Sequence, residues 1–306
     1  MKILVTGGAG FIGSNVADGY IARGHRVVII DNLSGGNKRN INGAAKFYKM
    51  DIRDRGVMDI FKKEKIDIVS HHAAQVDVRK SVADPAFDAQ VNIGGILNLL
   101  DAAVKYGTKK FIFASSGGVM YGEVGNKLPD EKTIPHPISP YGISKLSGEH
   151  YISFYGKVHG LKYTILRYGN VYGPRQDPCG EAGVVAIFAG RMLKGKPVNI
   201  FGDGRQMRDY IFVKDVVKAN MLAANKADGE TINIGTGRTT SVNALFKKMA
   251  ALTCYSRRPV FREKREGELF RNGLDVKKAK RIMNWSAETE IEEGLRETLK
   301  FFGDKA

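Results

Sequence analysis

Short β-branched runs alternate along the first half of the chain with stretches that repeat apolar residues at helical spacing. The runs at 2–6, 27–30, 46–49, 66–71 and 110–114 predict strands. Between them, 11–23, 54–63 and 87–106 predict helices. A further buried strand is expected at 163–167. Alternation of this kind argues for βαβ units and a parallel sheet covered on both faces. Right-handed crossovers then narrow the fold class to α/β, a Rossmann doubly wound parallel sheet.

The texture changes after Tyr172. A polar loop rich in Pro and Gly runs from Gly173 to Gly180, and shorter elements follow. Helices are expected near 184–194, 215–225, 242–252 and 291–302, and strands near 198–200, 210–213 and 231–234. The reading is a dinucleotide domain over 1–172, with some later segments interleaved, and a smaller α/β lobe over 173–306. No internal repeat or low-complexity segment interrupts it.

The most specific local signal follows the first strand. Gly7, Gly10 and Gly13 are spaced so that the chain turns tightly and opens a helix at Phe11 and Ile12. Early glycines let backbone approach a pyrophosphate, the helix N-terminus offers N–H donors to it, and the third glycine lets helix and strand pack closely. The second strand ends in Asp31. An acid there accepts from ribose hydroxyls and repels a 2′-phosphate, which predicts NAD rather than NADP.

A second constellation lies at Tyr141-Gly142-Ile143-Ser144-Lys145. Residues i and i+4 share a helix face, so Tyr141 and Lys145 project together, and Pro140 suits the helix start. A free phenol has a pKa of about 10, and lowering it by about 3 units takes roughly 4 kcal/mol. A neighbouring ammonium favours the phenolate. The phenol then takes a proton from a hydroxyl as hydride leaves the same carbon. Ser115-Ser116, at a strand end about 25 residues earlier, offers a hydroxyl where ligands gather in open α/β sheets.

Composition changes this picture little. Hydrophobic residues are 43% and charged residues 26%, which speaks against disorder. The formal net charge is +16, yet basic residues are spread out, and the densest run, 257–271, is broken by Glu263, Glu266 and Glu268. A nucleic-acid partner is therefore not indicated, whereas an anionic small substrate suits the balance. Cys179 and Cys254 form no metal-like pair, so no metal is expected and a reducing cytoplasm fits. The apolar N-terminal run is too short for a signal peptide, and no stretch approaches a membrane span. His71 and His72 read as packing or capping residues, and Trp285 as an anchor of the second lobe.

These residues resemble the extended short-chain dehydrogenase/reductase family, in its NAD-dependent epimerase/dehydratase branch, and within it the UDP-glucose 4-epimerases. The likeness is carried by 6–14, Asp31-Asn32-Leu33-Ser34, His72-Ala73-Ala74, Ser115 to Gly118, Ser139 to Lys145, and Arg167 to Arg175. Gly202-Asp203-Gly204, Arg208-Asp209-Tyr210 and Arg265-Glu266-Gly267-Glu268 extend it into the second lobe.

The resemblance implies Ser116, Tyr141 and Lys145 as the catalytic residues, with Ser116 preferred to Ser115. It adds Asn32, Asp51, Ile52, Ala73, Ala74, Gln75, Asn92 and Tyr168 to the cofactor set, which also includes Tyr141 and Lys145. Asn170, Arg208 and Arg265 would hold the nucleotide-sugar diphosphate, with Ser116 and Tyr141 at the sugar. It also implies a homodimer through the helices at 87–106 and 141–157, and 4-epimerisation of a nucleotide sugar, with UDP-glucose and UDP-galactose foremost.

Met120, Met207 and Asn272 depart from the pattern at the pocket. Gly117-Gly118 stand where a 4,6-dehydratase carries an Asp-Glu pair, so dehydration lacks its acid and base. A uronate 4-epimerase, a decarboxylase, a 4-keto reductase and a non-catalytic NAD- or RNA-binding relative stay open.

Overall fold

The computed structural model describes residues 1–123, 125, 127–178, 183–265 and 269–304. The first half alternates as expected: β1 (Lys2–Thr6), α1 (Phe11–Ala22), β2 (Arg26–Asp31), β3 (Lys46–Lys49), α2 (Val57–Glu64), β4 (Ile68–His71), α3 (Val78–Ala83), α4 (Pro85–Ala89), α5 (Gly95–Lys105) and β5 (Lys110–Ser116). Then come α6 (Gly117–Met120), α7 (Pro140–His159), β6 (Lys162–Tyr168), β7 (Asn170–Tyr172), α8 (Val184–Met192), β8 (Asn199–Phe201), β9 (Met207–Arg208) and β10 (Tyr210–Phe212). The chain finishes with α9 (Val213–Ala223), β11 (Glu230–Ile234), β12 (Thr240–Ser241), α10 (Val242–Thr253), β13 (Val260–Arg262), β14 (Arg271–Asn272), α11 (Lys277–Met283) and α12 (Ile291–Gly303).

Seven strands form one sheet in the order β11-β6-β5-β4-β1-β2-β3, with every neighbouring pair parallel. Strand order reverses between β1 and β4, so the crevice for a ligand opens at their carboxyl ends. The strands are apolar on both faces because helices cover both. One face packs Ile3, Val5, Ile29 and Ile232 against Val16, Tyr20 and Val216. The other packs Leu4, Ile30, Val69 and Phe111 against Phe61, Leu99 and Ile152. A separate cluster around Phe188, Phe212, Phe246 and Leu295 is the core of the smaller lobe.

Three elements differ from expectation for identifiable reasons. The helix predicted over 87–106 is α4 and α5 joined by a π turn at Gln90–Gly94. Within that turn Asn92 bonds the main chain of Gln75 in both directions, and an extra residue in a helix is a common way to aim a side chain. Trp285 anchors the sheet's first face rather than the second lobe, with Nε1 donating to the Asp215 carbonyl. The two-residue pairings of β9 with β12 and with β14 are too short to show periodicity.

Candidate active site

The first turn of α1 is shaped by what its glycines exclude. Gly7 takes φ +67°, and a Cβ there would lie 2.7 Å from the Ala73 nitrogen. A Cβ on Gly13 would lie 2.2 Å from the Gly7 carbonyl oxygen. Gly10 caps α1 with no side-chain hydrogen bond, and Ser14 N bonds the Gly10 carbonyl at 3.1 Å. The N–H groups of Phe11, Ile12 and Gly13 precede that bond, so the helix has donors to offer an anion.

Asp31 ends β2 beside this turn. Its carboxylate accepts from Ala9 N at 2.9 Å and Leu33 N at 2.8 Å, one bond per oxygen, which leaves lone pairs for hydroxyls. A dinucleotide with unphosphorylated ribose fits this cradle: glycine backbone for the pyrophosphate, a carboxylate for the ribose.

The remaining expected cofactor residues do different jobs. Asn32 donates to Asp51 at 2.8 Å, and Arg53 grips the Asp51 carboxylate through two nitrogens at 2.9 Å. The Arg53 guanidinium holds the Asp51 carboxyl down at about 2. Ile52 is buried and closely approaches Gly95, where a Cβ would meet its Cδ1 at 2.4 Å. Ala73, Ala74 and Gln75 follow β4 at the carboxyl edge, with Ala73 N on Thr6 Oγ1 at 3.3 Å. Asn92 spends its amide on Gln75 and Asp88, so it shapes the Gln75 loop. The Tyr168 ring lies in the core, where its hydroxyl accepts from Asn220 at 2.8 Å; its side chain does not face the crevice through that hydroxyl.

Helix α7 brings the catalytic candidates to the same edge. Ser139 caps it, accepting from Gly142 N at 3.2 Å, and Pro140 opens it. A Cβ on Gly142 would lie 2.9 Å from the Val119 carbonyl oxygen, so the start of α7 lies hard against α6. Lys145 Nζ donates to the Ala114 carbonyl at 2.9 Å and lies 5.7 Å from the Tyr141 ring centroid and 4.8 Å from that of Phe113.

Burial raises the Tyr141 phenol, and the negative charge of Asp88 adds to this. Burial also brings the Lys145 ammonium down to about 8, against the opposing pull of Asp88 and Glu149. The expected lowering of Tyr141 is thus not met by the chain's own groups.

The two serines separate cleanly. Ser115 is buried and donates to Glu149 Oε1 at 2.6 Å. Ser116 is half-buried and its side chain does not cap α6. Ser116 is therefore the hydroxyl available at the strand end, which supplies a physical reason for preferring it.

The smaller lobe closes over this edge. Asp209 N donates to the Asn272 carbonyl at 3.0 Å, and Asn272 Nδ2 bonds the Gly118 carbonyl. Asn272 thus joins β14 to the turn after Ser116. Asn170 N bonds the Asp209 carbonyl at 2.8 Å, while its buried Oδ1 has no hydrogen-bond partner among the described residues. Arg208 directs one nitrogen to the Met207 carbonyl at 2.9 Å. Arg265 is exposed, with its guanidinium carbon 3.9 Å from the Phe201 ring centroid. Its companions Glu266, Gly267 and Glu268, like Cys179, lie outside the described residues. Met120 is wholly buried with Tyr121 and Leu274 and so packs rather than lines the crevice, whereas Met207 is half-buried.

Several site-shaping residues escaped the sequence reading. Glu149 pairs with Arg167 through bonds of 2.9 and 2.6 Å, and Arg167 reaches Tyr121 at 2.7 Å. Its spacing four residues beyond Lys145 was a legible signal. Asp209 accepts from Thr236 and Gly237 and shapes the loop after β11. Asp88 is wholly buried beneath Gln75, Asn92 and Ser144. In sequence it reads only as an acid in a helix's first turn.

Residues 3–235 match the NAD dependent epimerase/dehydratase family. Among solved structures, the UDP-glucose 4-epimerase of Thermotoga maritima, determined with UDP-glucose, is 53% identical with a TM-score of 0.98, over 100% of this chain and 99% of that one. The Thermus thermophilus UDP-glucose 4-epimerase, determined with NAD, is 43% identical with a TM-score of 0.94, over 99% of each chain. The UDP-glucose 4-epimerase of Mycolicibacterium smegmatis is 41% identical over 312 residues, covering 100% of both.

Proposed function

From the premise that the chain belongs to the NAD-dependent epimerase/dehydratase family, we propose that it interconverts UDP-glucose and UDP-galactose by transient oxidation at C4. The observation that carries this reading is the meeting of Tyr141, Lys145 and an uncommitted Ser116 at the carboxyl edge beside a glycine cradle for NAD.

Gly7, Gly10, the N–H groups of 11–13 and Asp31 would hold the cofactor. Bound NAD would supply the acceptor and then the donor of the C4 hydride. Tyr141 Oη takes the proton of the C4 hydroxyl, Ser116 Oγ hydrogen-bonds the same oxygen, and Lys145 stabilises the phenolate. The 4-keto sugar turns over while its nucleotide stays anchored, and Tyr141 returns the proton as C4 is reduced from its other face. Asn170, Arg208 and Arg265 are the anchors in this reading, with the arginines suited to phosphate oxygens.

The division of labour follows: residues 1–172, with later segments interleaved, bind NAD and carry Ser116, Tyr141 and Asn170, and 173–306 form the rest of the nucleotide-sugar lobe. The enzyme acts as a homodimer. Ile143, Tyr151, Phe154 and Val158 stand exposed at helical spacing on α7, an apolar stripe suited to pairing with a second copy. We place it in the cytoplasm, in galactose metabolism, consistent with its unpaired cysteine spacing. Among the described residues, no helix is long and apolar enough to cross a membrane.

The test is incubation with NAD and, separately, UDP-glucose, UDP-galactose and their N-acetylated counterparts, followed by NMR. Interconversion of the first pair, lost in Tyr141→Phe, is expected. Turnover confined to the N-acetylated sugars, or of none of the four, would overturn the substrate assignment.

A further inference from the structure

Two buried carboxylates lie beside Lys145, Glu149 one turn further along α7 and Asp88 bonded to its chain neighbour Ser144, and they differ in how they are neutralised. Glu149 already has a cation: Arg167 binds it through two nitrogens, and Ser115 donates to it as well. Its charge is largely spent within that pair. Asp88 is wholly buried, and its partners are neutral. Oδ1 accepts from Gln75 Nε2 at 2.9 Å and Asn92 Nδ2 at 3.0 Å, and Oδ2 accepts from Ser144 Oγ at 2.6 Å. No Lys or Arg among the described residues forms an ion pair with it. A carboxylate removed from water without a cation is costly. Its partner Ser144 is the chain neighbour of Lys145 on α7, which brings its charge to that ammonium.

The partners of Asp88 come from both sides of the site. Gln75 belongs to the loop after β4, and Ser144 stands between Tyr141 and Lys145 on α7. We propose that Asp88 is a positioning residue for the C4 chemistry: its carboxylate serves as the counter-charge that keeps Lys145 protonated, and it ties the Gln75 loop to the helix carrying Tyr141. This rests on the epimerase reading for its catalytic consequence, though not for its electrostatics.

The groups facing Lys145 support this assignment. From the end of β4 and the residue after it come His71 and His72, both held well below their ordinary range by burial and so uncharged at neutral pH. From α7 come Tyr141 and Glu149, from β6 Arg167 already bound to Glu149, and from β5 the Ala114 carbonyl. On the Asp88 side, Arg79 of α3 is 72% exposed and lies 3.9 Å from Asp77. Burial brings the ammonium down to about 8 while Asp88 opposes the fall. Removing the Asp88 charge therefore lets Lys145 lose its proton at lower pH.

The experiment compares wild type, Asp88→Asn and Ser144→Ala in two ways. The first is the pH dependence of kcat/KM with UDP-glucose. The second is a ¹⁵N NMR titration of the lysine side chains in protein without sugar, with Lys145 assigned by its loss in Lys145→Arg. In Asp88→Asn the alkaline limb and the Lys145 titration both move down by about one pH unit, a roughly tenfold change in proton affinity. In Ser144→Ala, which loses one bond and keeps the charge, neither midpoint moves.

A purely structural role would lower the rate of Asp88→Asn at every pH with both midpoints unchanged, and that result overturns the proposal. If Asp88→Asn does not fold by circular dichroism, Asp88→Ser removes the same charge and carries the same comparison. A shifted NMR midpoint in a protein whose wild type turns over no UDP-hexose would instead defeat the epimerase reading and leave the counter-charge standing.

Discussion

Ser115 and Ser116 are neighbours of identical chemistry, and one hydrogen bond decides between them. The bond from Ser115 to Glu149 is 2.6 Å long and buried, so Ser115→Ala should destabilise the fold by about 1–3 kcal/mol, because it leaves a carboxylate lone pair unpaired. It should leave kcat within a few-fold. Ser116→Ala should do the reverse, lowering kcat by about 10²-fold or more with little change in melting temperature. Steady-state kinetics beside thermal melts checks both. The strand that ends at the two serines was legible in sequence. The assignment needed Glu149, whose distance along the chain from Ser115 hid the contact.

Glycine gave the other firm reading at this scale. Gly13→Ala would bring a Cβ to 2.2 Å from the Gly7 carbonyl oxygen. The variant should lose NAD binding by at least about tenfold, measurable by calorimetry, since the turn must open to admit it. The titration of Tyr141 was not legible: spacing shows that Lys145 shares its face, but not that burial works against the phenolate.

At the scale of elements, α7 has two unlike faces, and the proposed homodimer would use the outer one. Its inner face presents Ser144, Lys145 and Glu149, all buried, and its outer face exposes Ile143, Tyr151, Phe154 and Val158. Phe154→Glu, at 52% exposure, should therefore shift the protein from dimer to monomer in analytical ultracentrifugation without unfolding it. A wild-type monomer at micromolar concentration would refute the pairing. The helices and long strands were readable because their periodicity survives over two or more turns. The π turn at Gln90–Gly94 and the two-residue strands β9, β12 and β14 were not. Their geometry is set by partners such as Gln75 and Asn272 that lie far off in sequence.

For the whole molecule, the sheet brings Gly7, Asp31, Ala73, Ser116 and Asn170 from five strand ends to one edge. That convergence follows from parallel topology, which explains why the cofactor side was legible while the lobe that closes over it was less so. At the opposite edge, Glu64 receives Lys46 and Tyr48 at 2.6 Å and Lys2 at 3.1 Å. These partners hold its carboxyl down at about 2. Its contribution to stability is present above the ordinary carboxylate range and is lost as pH falls through that depressed value. Glu64→Gln should cost roughly 1–2 kcal/mol at neutral pH. The gap from wild type should close in urea titrations as pH drops from about 4.5 toward about 2.

The central claim is that C4 is oxidised and then reduced with the same hydrogen. UDP-glucose carrying deuterium at C4, incubated in ordinary water to equilibrium, tests it by NMR of the UDP-galactose formed. Deuterium is expected to stay at C4 in both sugars, because the hydrogen never exchanges with solvent. Deuterium washed out into water would mean that C4 is deprotonated rather than oxidised, and would contradict the hydride-carrying role of NAD and the role of Tyr141 as base at the C4 hydroxyl.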